Sequence, residues 1–426
     1  MLIVALAVLV SAGCGPVSIS LPNPAPGYSV AESDKPQNLN PAAGPEDLSG
    51  LADGNAAFAF DLYRTLRGED GNLFFSPYSI STALAMTYAG AAGDTASQMA
   101  AALHFTLPAG RLHPALNAYA LDLQARAEQA TDGTPFELSI ANSLWGQEGF
   151  PFLDAFLDLL AENYGAGMRL VDYQNDAEGA RKAINDWVSE ETRDRIKDLI
   201  PQGAIDAMTR LVLANAIYFK AGWINPFEES ATGPEPFHLL DGSTAEIPMM
   251  RQTESYGYIL GDGYRAIELP YQNGNTSMLI ILPDEGEFRA VEERLSAEMV
   301  ADLLGRMTYG QVNLGLPKFT YESEFNLNDA LIGLGMTDAF DSDRANFSGM
   351  DGARDLFISD VLHKAFVAVD EEGTEAAAAT AVIMELTSAP MEEPITFTVD
   401  RPFVYMVRDQ QTGSILFLGR VLNPAG

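Results

Sequence analysis

Cysteine is nearly absent: Cys14 is the only one in 426 residues, so no disulfide can form within the chain and the folded part must hold by packing alone. The same scarcity removes a CxxC metal knuckle and a cysteine nucleophile from any domain that follows. Cations are few as well. Lys and Arg total 25 against 59 Asp and Glu, a formal charge of −34, and such a surface repels phosphate backbones, heparin-like polyanions and anionic headgroups. No nucleic acid or heparin partner is expected, and the charge reads as solubilising. Histidine occurs only at His104, His113, His238 and His363. There is no GxSxG elbow, HExxH, GxxxxGK or GxGxxG stretch. A Ser-His-Asp set could still converge in space, since triads need not be contiguous, but nothing selects one. The expectation is a protein that is not an enzyme and carries no cofactor or metal.

Long apolar runs are also missing. The longest at the N-terminus, MLIVALAVLV at 1–10, is too short to span a bilayer and suits the core of an export signal. Ser11, Ala12 and Gly13 then precede Cys14, which resembles the cleavage box of bacterial lipoproteins, where the cysteine becomes the lipidated N-terminus. Two features depart from that box: no Lys or Arg precedes the run, and Ser11 stands where Leu is usual. A plain secretory signal, or a misplaced start beside an incidental cysteine, is the alternative. Residues 15–50 are rich in Pro, Gly, Ser and Asn, a linker composition. The reading is an export signal at 1–13, a flexible tether at 14–51 and a folded domain at 52–426, in an exported protein of the extracellular space or cell envelope, with Cys14 as a candidate membrane anchor.

What is present is enough apolar material for a large core, 47% of residues. Phe58, Leu62 and Leu66 recur at four-residue spacing, and helical patterns follow after Ser76, around 154–165 and over 180–200. Strand-like runs lie at 210–219, 277–282, 311–316 and 414–421. Helices dominate the first half and strands the second, which favours an α+β domain over a parallel βαβ sheet. No repeat and no second linker interrupts it, so a single domain is expected.

One stretch resists local rules. EEGTEAAAAT at 371–380 carries four alanines, the best helix former, between strand-like FVAV at 366–369 and the apolar 381–386. Taken as a strand, one parity holds Thr374, Ala376, Ala378, Thr380, Val382, Met384 and Leu386 without a charge. The other parity holds Glu375 and Glu385. From these residues alone, an alanine helix and an exposed strand-forming loop stand equal.

The residues VLHKAFVAVDEEGTEAAAAT at 361–380 and RPFVYMVRDQQTGSILFLGRVLNP at 401–424 resemble the signature of the serpins. NLFFSPYSISTALAMTYAGAAGDTASQM at 72–99 and LANAIYFKAGWINPF at 213–227 are similar to further family segments, in family order. The resemblance implies three β-sheets with about nine helices and an exposed reactive loop at about 371–400. It further implies a suicide inhibitor of serine proteases: the protease cleaves the loop, is trapped as an acyl-enzyme, and the loop enters the central sheet. The alternative is a non-inhibitory serpin-fold binding or substrate-like protein.

Residue roles follow from the same resemblance. Gly373, Thr374, Glu375, Ala376, Ala377, Ala378, Ala379 and Thr380 correspond to the hinge from which insertion starts. Fourteen positions past Gly373 lies Thr387, so the expected reactive bond is Thr387 to Ser388, with Leu386 and Met384 as alternatives. Ser76, Ser79, Asn215 and His363 match the shutter beneath the sheet, and Trp223 the breach where the loop enters; Trp145 and Trp187 read as core packing. No Lys or Arg occurs between Lys364 and Arg401. Elastase-like, subtilisin-like or chymotrypsin-like proteases are therefore the expected partners rather than trypsin-like ones, and a monomer is expected.

Overall fold

The computed structural model describes residues 27–68, 70–128, 137–272, 275–374 and 393–426. Its helices are α1 (Pro45–Leu66), α2 (Pro77–Tyr88), α3 (Gly93–Ala102), α4 (Ala109–Glu128), α5 (Asp154–Tyr164), α6 (Tyr173–Glu191), α7 (Phe288–Arg294), α8 (Ala297–Gly305), α9 (Asn328–Gly333) and α10 (Ser348–Asp351). Among the described residues, seven strands make the main sheet: β1 (Ser29–Ala31), β3 (Glu137–Gln147), β4 (Met168–Val171), β5 (Leu211–Gly222), β11 (Phe319–Asn326), β12 (Asp360–Val369) and β13 (Gly373–Thr374). They lie in the order β1-β4-β3-β5-β13-β12-β11. The second sheet contains β2 (Leu73–Phe75), β6 (Gly233–His238), β7 (Thr244–Leu260), β8 (Tyr264–Pro270), β9 (Thr276–Pro283), β10 (Thr308–Pro317), β14 (Ile395–Thr398), β15 (Phe403–Asp409) and β16 (Ile415–Val421). The α+β expectation stands, while hydrogen bonding joins two of the three expected sheets into one. β7 causes this, because its first part pairs with β6, its middle with β10 and its last residues with β8.

Local chemistry explains the elements nearest the site. Ser76 caps α2, its hydroxyl accepting the Ser79 N–H at 3.1 Å, with Pro77 supplying a preset φ at the first helical position. Nearly all of α2 is buried, so it runs under the main sheet as an internal helix. β5 is buried on both faces apart from Lys220: Val212, Ala214 and Ala216 pack with α6, Leu211 and Leu213 with α2, and Ile217, Phe219 and Ala221 with the second sheet. In α1 the expected Phe58, Leu62 and Leu66 all point into the core.

Two expectations need correction. The tether placed at 14–51 ends earlier: β1 pairs antiparallel with β4, and α1 begins at Pro45 behind Gly44, whose N–H is accepted by Asp47. A three-residue strand has too few positions for alternation to show, and its partner lies far along the chain. The helix expected over 180–200 stops at Glu191. Arg193, Asp194 and Asp198 adopt positive φ, and the Thr192 hydroxyl closes the end by donating to the Val188 carbonyl at 2.7 Å and accepting the Ile196 N–H at 3.1 Å. The expected signal at 1–13, Cys14 and 15–26 lie outside the described residues.

Candidate functional site

β5 and β12 run parallel and pair directly over Val212–Tyr218 and Asp360–Phe366, then part. Into the gap goes β13, antiparallel to both: Thr374 pairs with Val369 on one side and Ala221 on the other, and Gly373 with Gly222. The turn before it is held by Asp370, whose carboxylate accepts the N–H groups of Glu372 at 3.0 Å and Gly373 at 3.2 Å, while its own N–H donates to the Gly373 carbonyl at 2.9 Å. Only glycine fits at 373, because a Cβ there would sit 2.1 Å from the Ala221 carbonyl oxygen.

Aromatic and charged groups brace this turn. Trp223 stacks on Tyr271 at 4.7 Å, donates its indole N–H to the Asp370 carbonyl at 3.0 Å, and gives its backbone N–H to the Glu372 carbonyl at 2.8 Å. The Tyr271 hydroxyl meets the Thr374 hydroxyl at 2.7 Å. Glu371 is buried, with Lys318 Nζ 2.5 Å from its carboxylate and the Thr232 hydroxyl donating at 2.8 Å. Burial pushes the Glu371 carboxyl up, but Lys318 and the hydrogen bonds outweigh it and hold the group below its ordinary range.

Lower down, where β5 and β12 are still in contact, a polar cluster lies inside the apolar core. The Ser76 backbone N–H donates to His363 Nε2 at 3.2 Å, which leaves the proton on Nδ1, facing Asn215 Oδ1. The Asn215 amide reaches Ser79 Oγ at 2.7 Å and also Asn142 Oδ1, and the Asn142 amide donates to the Ser79 carbonyl at 3.1 Å. Every member has a partner, so the cluster is rigid, and it joins α2, β3, β5 and β12 at the seam between β5 and β12.

A sequence model of the family described as Serpin (serine protease inhibitor) matches residues 53–424. The chain is a serpin. It is 42% identical over 370 residues to an uncharacterised serpin-like protein of Thermococcus kodakarensis, covering 86% of this chain and 84% of that one. With the human leukocyte elastase inhibitor it shares 41% identity over 385 residues, covering 88% of this chain and 99% of the relative. Uncleaved ovalbumin superimposes with a TM-score of 0.78 at 28% identity, covering 88% of this serpin and all of that chain. Human thyroxine-binding globulin, complexed with thyroxine, gives 0.79 at 32% identity, covering 89% and 99%.

In this serpin the four residues expected at the shutter, Ser76, Ser79, Asn215 and His363, meet in one network, and Trp223, expected at the breach, stands against the turn at 370–373. Of the residues expected at the hinge, Gly373 and Thr374 occupy the gap between β5 and β12. Glu375, Ala376, Ala377, Ala378, Ala379 and Thr380, with Met384, Leu386, Thr387 and Ser388, lie outside the described residues. Asn142, Tyr271, Asp370 and the Lys318–Glu371 pair are additions that sequence reasoning missed. Nothing local flags them except the run of three acids at 370–372 before a glycine, a turn signal.

The polar cluster around His363 predicts a pH dependence. Burial depresses the His363 pKa from its ordinary 6.5 to about 3, so the folded serpin holds this ring neutral while the unfolded chain protonates it. Its stabilising contribution is intact above pH 6.5 and is lost as pH falls towards 3, at roughly 1.4 kcal/mol per pH unit. His113, lowered by burial to about 4, acts in the same direction. Urea midpoints from pH 7.5 to 4.5 should therefore fall less steeply in His363→Gln than in the parent. Equal slopes would reject His363 as the group responsible.

Proposed function

We propose that this serpin inhibits serine proteases of elastase-like, subtilisin-like or chymotrypsin-like specificity by one-time trapping. The observation that carries this reading is β13, a strand already started in the gap of the main sheet. Continued in the same register, 375–383 would pair with 368–360 of β12 on one side and 220–212 of β5 on the other. Ala376 would then stand between Val367 and Phe219, Ala378 between Ala365 and Ile217, and Thr380 between His363 and Asn215, all neighbours whose side chains are buried. The opposite parity would bring Glu375 beside Lys220, an opposite charge.

Chemistry and mechanics follow in sequence. The protease serine attacks the carbonyl carbon of Thr387, the amide to Ser388 breaks, the new Ser388 amine leaves with a proton, and an ester joins Thr387 to the protease. Insertion then breaks one parallel ladder, between β5 and β12, and makes two antiparallel ones. About ten additional ladder bonds at a net ~0.5–1.5 kcal/mol each supply on the order of 10 kcal/mol. Deacylation needs a triad and oxyanion hole in tight geometry, so a protease dragged and distorted by insertion keeps its ester. The absence of Lys and Arg from the loop argues against trypsin-like targets. The reading includes export, with Cys14 as the lipidated N-terminus.

Mixing the full chain with an elastase and a subtilisin tests the proposal. The expected products are an SDS-resistant adduct and a released C-terminal peptide that begins at Ser388. Cleavage without an adduct, together with no gain in thermal stability, would replace inhibition by the substrate-like or binding role, the class suggested by the likeness to thyroxine-binding globulin.

A further inference from the structure

The segment before α1 makes a built contact that the family match does not include, since that match starts at residue 53. Tyr28 packs edge-on against Trp145 of β3 at 5.0 Å, and Ser29, Val30 and Ala31 pair with Leu170, Arg169 and Met168 of β4. The chain then crosses onto two helices. Ser33 donates to Asp158 of α5 at 2.5 Å, and Lys35 bridges Asp158 at 3.1 Å and Glu162 at 2.9 Å. The Asn38 N–H donates to the Glu162 carbonyl at 2.9 Å. Gln37 donates to the side chain of Asn117 on α4 at 2.9 Å, and the Asn117 amide donates to the Asn38 carbonyl at 2.7 Å.

The body is shaped to receive this segment. Asn117 is fully buried, and both ends of its amide are engaged by 37 and 38. At Gly167, just before β4, a Cβ would meet the Ala31 carbonyl oxygen at 2.8 Å and the Val30 side chain at 3.1 Å, so the close approach requires the missing side chain.

The two ends of the strap hold parts with different fates during insertion. β4 and β3 belong to the sheet half that ends in β5, and β5 must leave β12 for a loop to enter. α4 and α5 belong to the body. Arg126 of α4 bonds Asp409 of β15 at 2.7 Å, and α5 is tied to α4 by the Asn117 amide, which donates to the Glu162 carbonyl at 3.2 Å. A segment fastened to both resists sliding of that sheet half over the helices. We propose that residues 27–44 form an intramolecular brace that slows opening of the main sheet between β5 and β12 while the reactive loop is uncleaved. An uncleaved chain that inserts its own loop is lost as an inhibitor, so the brace extends its useful lifetime. This rests on the inhibitory reading above for its purpose, but not for its measurement.

The test uses the full chain carrying Tyr28→Ala, Lys35→Ala and Gln37→Ala together, and a second variant, Cys14→Ser with Ser29→Cys and Leu170→Cys, which locks β1 to β4 by a disulfide between paired positions. Each intact protein is held warm, and its conversion to a urea-resistant form is followed on urea-gradient gels, with adduct formation assayed at time zero. The expected result is at least a tenfold shorter half-life for the triple variant with its initial adduct yield unchanged, and a longer half-life for the locked variant than for the same chain reduced. A triple-variant half-life within twofold of the parent overturns the brace, as does locking that shortens the half-life. If no protease forms an adduct with any variant yet the conversion rates differ as stated, the inhibitory reading fails and the brace stands.

Discussion

Ala376→Arg should turn this serpin from an inhibitor into a substrate of the same protease. On the proposed insertion, with the register of Thr374 continued, residue 376 would face the core between Val367 and Phe219, both fully buried. An arginine there brings an unpaired guanidinium into an apolar layer, at a cost of several kcal/mol. Each 1.4 kcal/mol added to the insertion barrier slows it about tenfold. Deacylation is untouched by the change, so the balance shifts to release. The number of serpin molecules consumed per protease should rise from near one to above about ten, and the cleaved variant should lack the gain in thermal stability of the parent. Titration of active protease against serpin measures the first and a melting curve the second; an unchanged adduct yield would show that 376 does not enter the core in this register.

Glu371→Lys should weaken the uncleaved fold most. Glu371 is buried and holds Lys318 and Thr232, and its backbone carbonyl accepts the Phe227 N–H at 2.8 Å, so the hinge turn is pinned by this residue at three points. Reversal sets two ammonium groups together beside a buried turn. Breaking such a pair costs roughly 3–5 kcal/mol when fully buried, and Lys318 is 37% exposed, so roughly 2–4 kcal/mol is expected here. The consequence is mechanical as well as energetic. With the turn loosened, β13 leaves the gap and the unpaired upper edges of β5 and β12 can take a strand from another copy. A lower urea midpoint and chains of linked molecules on native gels are the expected results. Lys318→Glu in the same molecule should recover most of the midpoint by restoring an opposite-charge pair, which a nonspecific loss of packing would not allow.

The seam of the main sheet was legible in part. His363, Asn215, Ser76 and Ser79 were found because their surrounding stretches resemble a family, not because any spacing marks them as neighbours. Asn142 escaped because a polar residue in a strand otherwise follows ordinary alternation, and its partners lie on α2 and β5. Lys318 and Glu371 are ordinary surface types in the sequence. Only the approach of β13 and its turn to the start of β11 makes them a pair, with Glu371 buried and Lys318 partly exposed. The strap escaped for a different reason: Pro and Gly on either side of SVA give a linker composition, and three residues on a sheet edge leave no period to detect.

Composition and order along the chain by themselves determined a good deal. One cysteine excludes an intrachain disulfide, the acid excess disfavours polyanion partners, and the want of cations between Lys364 and Arg401 argues against trypsin-like targets. The uncharged parity of 374–386 defines which side chains could face a core. These are local or additive properties, and a chain carries them before it folds. The tertiary structure alone decided that Tyr271, Asp370 and the Lys318–Glu371 pair brace the turn before Gly373, and that residues 27–44 cross from the sheet to the helices. Each depends on groups far apart in sequence meeting at hydrogen-bond distance, and such meetings are selected by the packing of the whole core rather than by any window of residues.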